Sequence, residues 1–282
     1  MSENLQPHLP VISEWLRSAT QLLRESDIPS ARLDAEIILA HTLRKSRTYL
    51  HAHDDDKLDE RQLEIADARI RLRQDRTPIA YIVGHKEFYG RLFKVTPATL
   101  IPRPESETIL ELLKKYLTQQ AILPARKRLI DVGTGSGCLG ISAKLEFPEL
   151  DVTLADISRH ALVVAQENAR LLDADITVLR SDLLRDYPFT ADIILANLPY
   201  IDPSWDRSPE TRYEPSSALF AENKGLHLMF RLLEQTDTQL VNGGIILLEA
   251  DPRQHNALIK KAKNHGLKQL EIRDFIVCLQ KI

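Results

Sequence analysis

Five apolar runs of strand length, residues 128–132, 151–157, 176–182, 192–196 and 244–249, alternate with helical stretches at 139–147, 159–172, 226–240 and 254–265. Continuous apolar strands separated by helices bury both faces only in a mostly parallel sheet covered on each side. Two further runs, 270–273 and 275–280, leave no room for a helix between them, so the last strand is expected to be antiparallel. The fold class is α/β. Ahead of it, from residue 11 to about 74, apolar residues recur at helical spacing, as in Ile12, Trp15, Leu16 and Ala19, then Ala35, Ile38, Leu39 and Leu43. Helices this short and amphipathic predict a small bundle. Pro29 and Ser30 are placed to start one of them, 58–75 forms another, and Thr77-Pro78 forces an extended exit.

Residues 81–100 carry short runs rich in Tyr, Ile, Val and Phe that break at Gly84 and Gly90, as in a hairpin. The expected organisation is a helical domain over 1–77, a β-hairpin linker over 78–100 and an α/β domain over 101–282, and 282 residues suit two domains. A net charge of -3 and a pI near 6.3 argue against a basic nucleic-acid surface, so no stable nucleic-acid binding is expected. The run Arg69, Arg71, Arg73 and Arg76 reads as a solvated helix face. No apolar run approaches the roughly 20 residues that cross a bilayer, and residues 1–8 lack the basic start and apolar block of a secretory leader. A cytoplasmic monomer is expected. Cys138 and Cys278 are too few for a disulfide framework and lack zinc spacing, so both read as buried thiols. His51 and His53 beside Asp54, Asp55 and Asp56 read as solvated surface, and no metal is expected.

The chemistry concentrates at strand ends. Leu129-Ile130-Asp131-Val132 runs into Gly133-Thr134-Gly135-Ser136-Gly137, where an open α/β sheet binds its ligand. A dinucleotide fingerprint would need glycine at position 138, where Cys138 stands. A pyrophosphate gains nothing from a carboxylate at Asp131, whereas a cofactor with a cationic amino-acid tail does. Asp156 ends the next strand, where it can accept from ribose hydroxyls. Asp182 ends the third and can accept from an adenine amino group, with Leu183 against the ring. Three acid-bearing strand ends in sheet order point to a nucleoside with a positively charged tail.

The fourth strand ends in Asn197-Leu198-Pro199-Tyr200. An amide nitrogen is a poor nucleophile, because its lone pair is delocalised into the carbonyl, and it must be held so that the lone pair faces the electrophile. The Asn197 side-chain oxygen and the Leu198 carbonyl could each accept one N–H, aiming the nitrogen at a sulfonium methyl group. Pro199 biases Leu198 to an extended conformation, and Tyr200 can pack on the flat amide. Arg103, immobilised between Pro102 and Pro104, suits a positioning role at the cleft, and Glu105 and Glu107 suit the first turn of a helix running to about residue 117.

These residues resemble the class I S-adenosylmethionine-dependent methyltransferases, and within them the protein-glutamine N5-methyltransferases that modify peptide chain release factors. The resemblance covers nearly the whole chain. It is carried by Pro78-Ile79-Ala80-Tyr81-Ile82-Val83-Gly84, by Glu87-Phe88-Tyr89-Gly90, by Leu100-Ile101-Pro102-Arg103-Pro104-Glu105-Ser106-Glu107 and by the loop from Asp131 to Gly137. Later blocks match too: Tyr213-Glu214-Pro215 with Ala218-Leu219, Gly225-Leu226, Gly243-Gly244, Glu249 and Gln254. The family usually has Asn-Pro-Pro-Tyr where this chain has Leu198, and a threonine where it has Ser106; leucine retains the carbonyl acceptor. The resemblance implies a Rossmann-like domain that uses S-adenosylmethionine, releases S-adenosylhomocysteine, and methylates the glutamine of the release factor's Gly-Gly-Gln motif, with the helical domain helping to dock that partner. By motif match Gly133, Thr134, Gly135, Ser136, Gly137, Asp156, Leu183 and Asn197 contact the cofactor, and Asn197, Leu198, Pro199 and Tyr200 the substrate glutamine. Two other readings stay open: an adenine N6-methyltransferase, since the same two acceptors suit an exocyclic amine, and a non-catalytic cofactor-binding protein, given Leu198.

Overall fold

The computed structural model describes residues 9–119 and 127–282. Residues 1–8, where a secretory leader was sought, lie outside the described residues. The chain divides into two units.

The first unit, residues 9–84 with Pro209–Tyr213, is helical. It contains α1 (Ile12–Glu25), α2 (Ala31–Leu43), α3 (Arg47–Ala52), α4 (Glu60–Gln74) and α5 (Ile79–Val83). Side chains set several starts: Ser46 accepts from the Tyr49 amide, and Asp59 accepts from the Gln62 amide while the Gln62 side chain returns to the Asp59 amide. Trp15, Leu16, Leu23, Ile38, Leu39, Leu50 and Ile70 form one buried cluster. Two expectations need correction here. Residues 79–83 form a helix rather than the start of a hairpin, closed by Gly84 at φ +78°. The arginine run is not a uniformly solvated face either. Arg73 is 6% exposed and donates to Asp34 at 2.7 Å and Glu210 at 3.1 Å, while Arg76 donates to the Ser26 carbonyl at 2.8 Å. Shielded from water, this cation takes its partners from the protein, two carboxylates and the Thr77 carbonyl.

The second unit, residues 85–208 and 214–282, holds the sheet. The antiparallel hairpin β1 (His85–Phe88) and β2 (Arg91–Lys94) turns at Tyr89 and Gly90, both at positive φ. A 3-10 turn, Pro104–Ser106, leads into α6 (Glu107–Thr118). The alternating part follows: β3 (Arg128–Val132), α7 (Cys138–Glu146), β4 (Asp151–Asp156), α8 (Arg159–Leu171), β5 (Thr177–Arg180), β6 (Ala191–Ala196), α9 (Ser216–Leu219), α10 (His227–Gln239), β7 (Leu240–Glu249), α11 (His255–Lys263), β8 (Leu267–Arg273) and β9 (Ile276–Lys281). The strand order is β5-β4-β3-β6-β7-β9-β8, and only β9 runs against the rest. Neighbouring residues of one strand enter different buried clusters: Ile194 and Ala196 of β6 join Ile130, Leu248 and Val277, whereas Ile193 and Leu195 join Leu129, Leu247 and Cys278. Both sheet faces are therefore dry, as a continuous apolar strand requires.

The chain leaves β3 outward through β4 and β5, then returns to lay β6 on the other side of β3. That reversal opens a crevice at the carboxyl ends of β3, β4 and β6, where open α/β sheets take their ligands.

Candidate active site

Asp131 lies one residue before the end of β3, 1% exposed, and its Oδ2 accepts from the Thr134 hydroxyl at 2.6 Å and the Gly140 amide at 2.9 Å. Its Oδ1 is buried with no partner. Burial pushes the carboxyl up to about 6; the bonds from Thr134 and Gly140 pull the other way and the nearby Asp156 charge adds to the rise. A buried acceptor without a donor is costly, and an ammonium group would satisfy it. The residues present thus fit a cofactor with a cationic tail.

The turn itself is tied to β4: the Gly133 and Thr134 amides both donate to the Ala155 carbonyl, at 2.8 and 3.0 Å. Gly133 stands at φ +71°, and a Cβ there would sit 2.8 Å from Leu198 Cδ2. Gly140, which sequence reasoning passed over, is needed for a different reason. A Cβ on it would lie 2.3 Å from Leu154 Cδ2 and 3.0 Å from Asp131 Cβ, so only glycine lets α7 approach β3 and β4 this closely. The buried Ser136 is held through its carbonyl by Asn168 Nδ2 at 2.8 Å, and the same asparagine bonds both backbone groups of Lys94. Asn168 sits in α8, and the burial of its polar side chain, which marks it in the structure, is not visible in the sequence.

Asp156 ends β4, half-buried, with Oδ2 accepting the Gly135 amide at 3.0 Å and Oδ1 the Ser158 amide at 2.8 Å. Burial raises its pKa against these bonds. Each carboxylate oxygen keeps a second lone pair for a hydroxyl. Strand β5 ends at Arg180, two residues short of the expected end, so Asp182 and Leu183 lie in the following turn. Asp182 is paired with Arg231 at 2.6 Å, and Leu183 is 7% exposed at φ +56°. Such a φ is uncommon for a non-glycine residue and marks a position held by its surroundings.

After β6, Asn197 Nδ2 donates to the Ser106 hydroxyl at 2.8 Å. Ser106 donates to Glu249 Oε2 at 2.5 Å, and the Tyr200 hydroxyl donates to Glu249 Oε1 at 3.2 Å. Ser106 and Glu249 are buried; burial raises the Glu249 pKa against the bonds from both hydroxyls. Burial, followed by the Glu249 charge, pushes the Tyr200 phenol well above its ordinary value, so it stays protonated. Leu198 is 4% exposed and its side chain belongs to the core, leaving its backbone as the polar part. Gln254 Nε2 donates to the carbonyls of Tyr200 and Lys224, both at 2.8 Å, and pins the end of the turn.

Arg103 pairs with the buried Glu214 at 2.5 Å, and the other Glu214 oxygen accepts the Ile101 amide at 3.1 Å. The guanidinium is close enough to Tyr200 and Glu249 for its charge to offset a small part of the rise in both of their pKa values. Cys278 is buried, but Cys138 is only half-buried, a departure from the expected pair of buried thiols. Desolvation pushes both thiols up to about 12, so neither is a nucleophile at neutral pH.

Residues 14–84 match the family described as the PrmC N-terminal domain, and residues 106–209 match the methyltransferase small domain. The chain is similar to the release factor glutamine methyltransferase of Koribacter versatilis (strain Ellin345), 37% identical over 245 residues that span 83% of this chain and 86% of the relative. It is equally similar to the protein of that name from Leptospira interrogans serogroup Icterohaemorrhagiae serovar Lai (strain 56601), 37% identical over 268 residues and 92% of each chain. Among solved structures, the T. thermophilus 16S rRNA N2 G1207 methyltransferase in complex with AdoMet and guanosine aligns with a TM-score of 0.51 at 16% identity, over 70% of this chain and 49% of that one, a likeness of fold alone. The sheet order, with its single antiparallel strand, and the glycine turn after β3 make this a class I methyltransferase fold. Within that class, the chain belongs to the release factor glutamine methyltransferase family.

Proposed function

We propose that this enzyme transfers a methyl group from S-adenosylmethionine to the side-chain amide nitrogen (N5) of the glutamine in the Gly-Gly-Gln motif of peptide chain release factors, in support of translation termination. What carries the reading is end-to-end similarity to proteins named for that activity, with 92% of both chains aligned in one case. The cofactor, when bound, supplies an electrophilic methyl group on a sulfonium sulfur and departs as S-adenosylhomocysteine.

The chain's own residues bind and orient. Asp131 Oδ1 accepts the cofactor's ammonium, and the turn of Gly133, Thr134, Gly135, Ser136 and Gly137 lets the backbone come close to the amino-acid tail. Asp156 accepts from the ribose hydroxyls, while Asp182 and Leu183 meet the adenine. Asn197 Oδ1 and the Leu198 carbonyl accept the two N–H groups of the substrate amide and point its nitrogen at the methyl carbon. Pro199 keeps that carbonyl outward and the Tyr200 ring covers the amide plane. The nitrogen gains positive charge as the methyl arrives and then sheds a proton readily, so no strong base is required beside it. Arg103, anchored by Glu214, holds the lead-in segment of the cleft. The helical unit, which runs on to residue 84, docks the release factor, the hairpin from residue 85 belongs to the catalytic unit and not to a separate linker over 78–100, and the enzyme works as a monomer in the cytoplasm.

The test is incubation with labelled S-adenosylmethionine and a release factor, repeated with the motif glutamine replaced. Label on the first protein and none on the second is expected. Label that persists on the changed protein overturns the substrate, and label on stripped RNA alone would favour an exocyclic amine instead.

A further inference from the structure

Asn197 is the pivot of the proposed chemistry, and a half-turn about the last bond of its side chain exchanges oxygen for nitrogen. Only one of those orientations offers an acceptor to the substrate. The surrounding hydroxyls decide which. Glu249 accepts from Tyr200 on Oε1 and from Ser106 on Oε2. A serine hydroxyl has a single proton. With that proton committed to Glu249, Ser106 Oγ can only accept, so it must face a donor, and it faces Asn197 Nδ2 at 2.8 Å. The Asn197 oxygen is then turned away, and among the described residues it takes no hydrogen bond.

We propose that Ser106 and Glu249 are positioning residues that hold the Asn197 amide with its oxygen toward the substrate nitrogen, a role that rests on the methyl-transfer reading above. The three residues come from separate elements. Ser106 ends the 3-10 turn before α6, Glu249 ends β7, and Asn197 follows β6. Strands β6 and β7 are parallel neighbours with Ala196 opposite Leu248, which brings the next residues of each, Asn197 and Glu249, side by side. Ser106 at 2% and Glu249 at 1% exposure are shielded from water, so solvent does not compete for the relay. An amide already turned the right way spares the substrate the work of selecting it. Tyr200 completes the arrangement by occupying the other Glu249 oxygen, so the carboxylate has no spare orientation to adopt.

Two readouts test this in the full-length enzyme. The first needs no substrate: the Asn197 side-chain amide signals, identified by their disappearance in Asn197→Ala, are followed by NMR hydrogen exchange. Protection is expected in the wild type, loss in Ser106→Ala, and recovery in Ser106→Thr, which keeps a hydroxyl. The second is turnover on a release factor. In Ser106→Ala, kcat is expected to fall about tenfold with cofactor Kd unchanged, and Ser106→Thr should recover most of the loss. Glu249→Gln offers one acceptor to two hydroxyls and should fall likewise. Equal exchange in wild type and Ser106→Ala, or an unchanged kcat in Ser106→Ala, overturns the proposal. So does a loss of kcat that tracks cofactor affinity and is not repaired by threonine, which is the pattern of a packing role. A wild type with a protected Asn197 amide that methylates no release factor overturns the function while supporting the orientation of Asn197.

Discussion

Leu198 Cδ2 lies 2.8 Å from the point where a Cβ on Gly133 would stand, so the turn after β6 and the turn after β3 fill one space between them. Gly133 also requires a left-handed backbone, at φ +71°. Gly133→Ala therefore meets two penalties, roughly 1 kcal/mol for the backbone and about 1–3 kcal/mol for overpacking. Urea unfolding is expected to show their sum. Leu198→Ala loses core burial of its own, but in its background Gly133→Ala should cost only the backbone part, and strictly additive losses in the double variant would mean that the two turns do not share that space.

Asn197 is half-buried and not part of the apolar core, so Asn197→Ala should fold normally. On the proposed mechanism, methyl transfer to a release factor is expected to drop by about a hundredfold or more, because one of the two acceptors proposed to align the nitrogen is gone. Near-normal turnover would remove this side chain from the chemistry.

With Asp131 in its proposed role, cofactor binding is expected to depend on pH. Its carboxyl is raised from 3.8 to about 6, so the folded protein holds the proton more tightly than the unfolded chain. The stability this gives is full below the ordinary carboxyl range and is lost as pH climbs to 6, a difference of about 3 kcal/mol for a shift of this size. A cation at Oδ1 favours the ionised form. Affinity for the cofactor should therefore rise with pH up to about 6, with proton release, and then level off. Thr134, Gly140 and Asp156 are the groups that set the carboxyl's environment. Calorimetry across roughly pH 5 to 8 measures the effect, and Asp131→Asn should flatten it; a flat wild-type profile would separate Asp131 from the cofactor's amine.

Two ion pairs in the chain predict unequal losses. Arg73 and Asp34 have side chains 7% and 4% exposed, and Arg73→Met leaves the buried Asp34 charge with the Ser30 hydroxyl beside it and no cation, a loss of about 3 kcal/mol. Arg231 and Asp182 are 36% and 32% exposed, and Arg231→Met should cost less than about 1 kcal/mol. Equal losses in thermal unfolding would contradict the burial argument.

The sheet was legible because it is dry on both faces: apolar runs such as 128–132 and 192–196 have one physical meaning whatever follows them. Strand ends were less so. β7 begins at Leu240, four residues before the expected start, because Gly243 and Gly244 read as breakers although the strand runs through them. The helix at 79–83 was hidden by Tyr, Ile and Val, whose strand preference yields to the turn that Pro78 begins and Gly84 ends. The glycine turn and Asp131 could be read locally, since the bonds from Thr134 and Gly140 to Asp131 span three and nine residues; Asp156 could be read only as an acid at a strand end, its bond to Gly135 spanning 21. The Ser106–Glu249 bond joins residues 143 apart, and no local pattern announces such a pairing. The burial of Arg73 was hidden for the same reason, its partners, the buried Asp34 and the half-buried Glu210, being 39 and 137 residues away.

That last separation has a consequence for biosynthesis. The helices of the first unit are complete once residue 84 has been made, yet one of Arg73's two carboxylates, Glu210, is still 137 residues from the ribosome's active centre when Arg73 is added. At the usual pace of translation that interval is about 10 s. A nascent chain arrested before residue 209 should carry a helical unit that forms but is measurably easier to pull apart, and it should tighten only after Pro209–Tyr213 have been added and have cleared the ribosome's exit tunnel.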